Sequence, residues 1–85
     1  MEISYATKAI EDINFWKKSG NKVAQKKIEA LLKNIIDTPF EGIGQPEPLK
    51  YNLSGVWSRR INQEHRLIYE VHEEEIQILS LRGHY

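Results

Sequence analysis

The 85-residue chain contains no cysteine. Neither a disulfide framework nor a thiolate zinc site can therefore supply stability, and a reducing interior, the cytoplasm, is the natural setting. It also lacks an excess of charge: twelve Lys and Arg face twelve Asp and Glu, a formal net charge of +0. That balance argues against a protein that captures a free polyanion unaided. No apolar stretch approaches the roughly 20 residues needed to span a bilayer. Met1-Glu2-Ile3-Ser4-Tyr5 has neither the basic start nor the apolar run of a signal peptide. Neither membrane insertion nor export is expected. What is present is a 40% hydrophobic content with Trp16, Trp57, two Phe and four Tyr. That is enough for one core and too little for two, so residues 1–85 read as a single domain. The charges are segregated, with Lys17, Lys18, Lys22, Lys26, Lys27 and Lys33 in one stretch and Glu70, Glu73, Glu74 and Glu75 in another. Two faces of opposite sign follow.

Ile3 and Tyr5 alternate with polar neighbours and read as a short first strand. Ala9, Ile10, Ile13 and Trp16 recur at helical spacing behind Thr7, a candidate N-cap, and Ser19-Gly20-Asn21 ends that helix near Lys18 and offers a cap for the next. Ala24, Ile28, Leu31 and Ile35, widened by Val23, Leu32 and Ile36, form the apolar stripe of a second helix, and Asp37-Thr38-Pro39 stops it. Residues 40–55 carry Gly42, Gly44, Pro46, Pro48 and Gly55 without a period and read as an ordered irregular loop. Val56 to Ile61, Arg66 to Val71 and Ile76 to Leu81 are β-branched and aromatic runs separated by short turns. The expected fold is α+β: a short N-terminal strand, then a two-helix hairpin on one face of a small twisted antiparallel sheet, with a C-terminal three-stranded meander. The sheet's other face is left free.

Three groups of residues carry chemistry. Glu47 sits between Pro46 and Pro48, and the following proline biases its backbone toward an extended form that limits where the carboxylate points. Arg59 and Arg60 share a strand and Arg66 begins the next. A three-residue turn over Asn62–Glu64 pairs Arg60 with Arg66, whereas a two-residue turn favours Arg59; the longer turn is the better fit. Adjacent arginines repel, so the pairing makes sense if an anion such as phosphate belongs between them, unless each arginine pairs with a glutamate. His84-Tyr85 closes the chain just after a strand. An imidazole ordinarily titrates near pH ~6.5, which suits proton transfer, and a phenol can stack on a base or donate a hydrogen bond. His65 and His72 read as structural or solvated, and strand parity separates them from any three-histidine metal site. A carboxylate, an imidazole, clustered arginines and Lys50 together match phosphodiester cleavage without a metal.

The run Thr38-Pro39-Phe40-Glu41-Gly42, Gly44, Pro46-Glu47-Pro48-Leu49-Lys50, Asn52-Leu53-Ser54-Gly55, Trp57-Ser58-Arg59-Arg60-Ile61, Glu64-His65-Arg66-Leu67, Tyr69, Arg82, His84 and Tyr85 resembles the YoeB (Txe) toxin family. That family lies within the RelE/ParE superfamily, and the helical half agrees in length and pattern. The resemblance implies a RelE-like fold and a ribosome-dependent mRNA interferase that cuts the codon in the A site, with the RNA presented by the ribosome. Glu47 would then correspond to the general base, His84 to the general acid, and Arg66 to the residue that stabilises the transition state. Tyr85 would orient substrate or assist proton transfer, while Lys50 and Arg60 would contact RNA phosphate; Arg59, a basic residue of the same strand, is grouped with these phosphate contacts, and no cofactor and no metal are implied. A cognate YefM-type antitoxin is implied as partner, with operator DNA bound only through that complex, and family members can be homodimers. Gln45 and Gly83 depart from the family pattern, where lysine and a bulkier residue are usual. The alternative is an inactive or ParE-like binding toxin acting on a protein target such as gyrase.

Overall fold

The computed structural model describes residues 2–49 and 55–83. Its elements are β1 (Glu2–Tyr5), α1 (Thr7–Ser19), α2 (Lys22–Asp37), β2 (Glu47–Pro48), β3 (Val56–Arg60), β4 (Arg66–Val71) and β5 (Glu75–Ser80). They form one five-stranded sheet in the order β1-β5-β4-β3-β2. The C-terminal meander is antiparallel as expected, but β1 lies parallel to β5, from Glu2 opposite Glu75 to Tyr5 opposite Ile78. The sheet is therefore mixed. A parallel neighbour needs a crossover connection, and the helical pair that follows β1 is part of it.

Thr7 is the first residue of α1 rather than its cap. Ala6 stands outside the helix at φ −66°, ψ 160°, because its N–H donates to the Ile78 carbonyl at 2.9 Å and keeps it in the strand pairing. The helix ends at Gly20 in the left-handed region, φ 74°, where a side chain would be strained. Asn21 then caps α2, its Oδ1 accepting from the Ala24 N–H at 3.0 Å. The buried face of α2 is the expected Ala24, Ile28, Leu31 and Ile35, with Leu32 packed at its edge. Val23 and Ile36 are exposed, as is Ile10 on α1, because a 16-residue helix on a small sheet can cover only one narrow stripe.

The helices cover one face of the sheet, where Ile61, Leu67, Tyr69, Ile76, Ile78 and Leu81 join Ala9, Trp16 and the α2 stripe in one core. The opposite face is less open than expected: Val56, Ser58 and Ile68, at its centre, are all buried. Within the loop read as irregular lies β2, two residues long and hydrogen-bonded to β3 at the sheet edge. Pro48 is tolerated there because an edge strand has one side on which no ladder N–H is needed.

Replacing the α2 cap, Asn21→Ala, should lower stability by about 1 kcal/mol, measured by urea unfolding, since the first-turn N–H loses its acceptor.

Candidate functional site

The site is framed by a guanidinium that does not belong to it. Arg59 is 0% exposed and each of its five N–H groups has an acceptor. Nε donates to Tyr69 Oη at 3.0 Å. Nη1 donates to Asn34 Oδ1 at 2.5 Å and to the Ile43 carbonyl at 2.9 Å. Nη2 donates to the Thr38 carbonyl at 2.7 Å and the Glu41 carbonyl at 3.1 Å. Tyr69 Oη donates in turn to the Pro39 carbonyl at 2.6 Å. The phosphate contact expected of Arg59 is thus corrected: its side chain points into the core side with Trp57 and Ile61, and no donor is left for a ligand. Burial pushes the Tyr69 phenol above its ordinary 10.0, partly offset by the Arg59 hydrogen bond and charge.

This network fixes the loop over 38–44 and so the approach to β2. Gly44 has φ +78°, and a Cβ there would lie 2.6 Å from Leu31 Cδ2, so only glycine lets the loop pass this close to α2. Its carbonyl accepts from the Arg60 N–H at 2.6 Å. Gln45 follows at φ 53°, and two residues later Glu47 pairs with Ser58 across the sheet edge.

The other arginines lie on the face away from the helices. The register places Arg60 opposite Arg66, as the three-residue turn requires, with Ile61 N–H donating to the His65 carbonyl at 3.0 Å. Cross-strand partners share a face. Glu47 beside Ser58 is therefore on the same face as Arg60 and Arg66, one pleat away along β3. Among the described residues, Arg60, Arg66 and Glu47 take part in no ion pair, so the glutamate pairing weighed for the arginines is absent there. Arg66 Nη1 is buried with no hydrogen-bond acceptor among the described residues, an expensive state for a charged donor. The Arg66 N–H donates to the Gly83 carbonyl at 3.1 Å, which fastens the chain just before His84 to the strand that carries Arg66. Lys50, His84 and Tyr85 lie outside the described residues.

A polar cavity of about 290 Å³, lined by Lys27, Gly44, Gln45, Arg60, Ile61, Asn62 and Gln63, opens beside Arg60. His65 packs edge-on against Trp16 at 5.3 Å and its Nε2 lies 3.1 Å from the Glu64 carboxylate. His72 pairs with Glu70 at 3.1 Å. Among the described residues no three His, Asp or Glu side chains are grouped to hold a metal ion. Sequence reasoning missed Asn34, Asp12 and the structural role of Arg59. The signal for Arg59 was available, since Trp57, Arg59 and Ile61 alternate and the outer two are apolar.

A two-helix hairpin on a small mixed sheet, with an arginine pair and an edge-strand carboxylate on the face away from the helices, defines the RelE-like class of fold. A family model described as the YoeB-like toxin of bacterial type II toxin-antitoxin systems matches residues 5–85. Toxin YoeB of Escherichia coli K12 is 45% identical over 85 residues, covering 100% of both chains. The YoeB dimer structure from Staphylococcus aureus superposes with a TM-score of 0.90 at 45% identity, covering 100% of this chain and 98% of that one. The same organism's heterotetrameric YoeB-YefM toxin-antitoxin complex gives 0.86, also at 45% identity and with 100% and 98% coverage. The chain belongs to the YoeB family of type II toxins. No helix among its described residues is long and apolar enough to cross a membrane.

Arg59→Met removes five donors at once. Each stranded acceptor costs about 1–3 kcal/mol, so a loss of at least about 4 kcal/mol is expected in urea unfolding, and Arg59→Lys should not restore it, because an ammonium cannot match the planar fork. Arg60→Gln should be neutral or stabilising, because it relieves like-charge repulsion. The raised Tyr69 phenol also sets a pH dependence. Above an ordinary phenol pKa the unfolded chain releases its proton while the fold retains it, so stability should be intact below about pH 10 and fall as pH rises further. In unfolding series between about pH 8 and about pH 11, Tyr69→Phe should show a shallower fall.

Proposed function

We propose that this chain is a ribosome-dependent endoribonuclease that cleaves mRNA in the A site and thereby halts translation. The observation that carries the reading is the buried Nη1 of Arg66, which has no acceptor among the described residues, across the strand pair from Arg60. Two cations held side by side, with no carboxylate among the described residues paired to either, suit a phosphodiester, whose oxygens can accept from both guanidinium groups. Glu47 on the same face, rigidly introduced by its flanking prolines, is the general base that takes the proton from the ribose 2'-hydroxyl. The 2'-oxygen attacks phosphorus, and Arg66, with Arg60 and Lys50, stabilises the charge that builds on the phosphoryl oxygens. His84 protonates the departing 5'-oxygen, and Tyr85 orients the substrate. The products are a 5'-hydroxyl and a 3'-phosphate or cyclic phosphate, and the chemistry requires no metal. The cavity beside Arg60 lengthens the cationic surface toward Lys27 and has room for a flanking part of the RNA.

The net charge of +0 fits an enzyme to which the ribosome presents the strand, since long-range capture is then unnecessary. Relatives solved as a YoeB dimer and as a YoeB-YefM complex support a cytoplasmic toxin that is neutralised by a YefM-type antitoxin and can dimerise. Operator DNA would be contacted through that complex.

The test uses the purified full chain with ribosomes programmed with a defined mRNA, cleavage being mapped by primer extension. Glu47→Gln and His84→Ala should each lower the cleavage rate by about 10²-fold to 10⁴-fold, and Arg66→Ala by about 10²-fold or more. Cuts that persist in all three variants would reject these roles. An uncut message combined with inhibited gyrase supercoiling would instead assign the chain to binding a protein target.

A further inference from the structure

The chain segment that leaves β5 is held by α1 at three backbone groups. The Leu81 N–H donates to Asp12 Oδ2 at 2.9 Å, and the Leu81 carbonyl accepts from Trp16 Nε1 at 2.7 Å. The Arg82 carbonyl accepts from Lys8 Nζ at 3.1 Å, while Lys8 Nζ also lies 2.7 Å from Asp12 Oδ2. The Arg82 guanidinium stacks over the Phe15 ring at 3.6 Å. From the other side, the Arg66 N–H takes the Gly83 carbonyl. Asp12 is only 5% exposed and lies on the buried face of α1 with Ala9 and Trp16. A carboxylate there costs desolvation that an apolar residue would avoid, so packing alone does not explain it. What it provides is an acceptor for Leu81 and an anchor for Lys8, which holds Arg82: two supports for two consecutive residues.

We propose that Asp12, assisted by Lys8 and Trp16, is a positioning residue. It holds residues 81–82 against α1 so that Gly83 lies alongside Arg66, which sets the point from which the chain continues to His84, the proposed general acid. The proposal rests on the nuclease reading above and adds α1 to the machinery. Asp12 touches no substrate; it acts by fixing the origin of the two residues that do. Angular slack at residue 81 grows along the chain, and a displacement of about 1 Å at a reacting group can cost about 10²-fold in rate.

The experiment compares full-length Asp12→Ala, Asp12→Asn and Lys8→Met on programmed ribosomes, well below each melting midpoint, together with the heteronuclear NOE of the Gly83 amide. Asp12→Ala should lower kcat by about 10²-fold with little change in KM, and the Gly83 NOE should fall. Asp12→Asn keeps an oxygen for the Leu81 N–H and should recover most of the rate. Added imidazole should restore part of the cleavage in Asp12→Ala and His84→Ala but not in Arg66→Ala. A general loss of stability would not produce that pattern. Lys8 is mostly exposed, so Lys8→Met should fold even if Asp12→Ala does not, and should show a smaller fall in kcat with the same imidazole response. Folded variants with wild-type kcat, or a loss that imidazole leaves untouched while the Gly83 NOE is unchanged, would overturn the proposal. Should the unaltered chain leave ribosome-bound RNA intact, the nuclease reading fails on its own. The Gly83 NOE in Asp12→Ala then still decides whether α1 holds the chain end.

Discussion

The buried guanidinium of Arg59 is the constraint on which the rest of the structure depends. It joins three parts of the chain: the end of α2 through Asn34, the loop over 38–43 through three carbonyls, and β4 through Tyr69. A loop of that length with no period of its own would carry unsatisfied carbonyls wherever it met the core. Arg59 supplies their donors from within the sheet. Among the described residues no carboxylate pairs with it, so its charge is dispersed over five neutral acceptors, a geometry that the planar five-donor fork permits and an ammonium does not. The course of the loop then decides where β2 begins and on which face Glu47 lies.

Arg60, the next residue, has the opposite circumstances. Alternation along β3 turns Arg59 into the core and Arg60 away from it, toward Arg66. The first is saturated with acceptors and serves the fold; the other two repel each other and include a donor with no acceptor among the described residues. Local energetics that oppose folding tend to be retained where a ligand supplies what is missing. The YoeB family relationship fits that view, since the face away from the helices carries Glu47, Arg60 and Arg66, three of the residues that the proposed chemistry uses.

Much of this was legible beforehand. The stripe of α2, the glycine end of α1, the Asn21 cap, the three meander strands and the Arg60–Arg66 register all follow from short-range rules of spacing, capping and turn length. The resemblance carried by the residues around Glu47 and Arg66 agrees with the family match over residues 5–85. The misreadings have a common origin. Thr7 was expected to cap α1, yet Ala6 is kept in the strand by Ile78, far away in the sequence. Arg59 was grouped with the phosphate contacts by its residue type, although its apolar neighbours at 57 and 61 share its face. Val23, Ile36 and Ile10 were counted into buried stripes that the small sheet is too narrow to cover.

By itself the sequence determined the elements, their order, the antiparallel register of β3 with β4 and the family, because each of these depends on neighbours within a turn or two or on a run of residues read as a whole. Only the tertiary structure decided that β1 joins the sheet in parallel, that Arg59 is the internal tie and that Asp12 holds the segment before the chain end. Those outcomes turn on which distant backbone groups are left without partners once the elements pack, and that accounting is complete only in three dimensions.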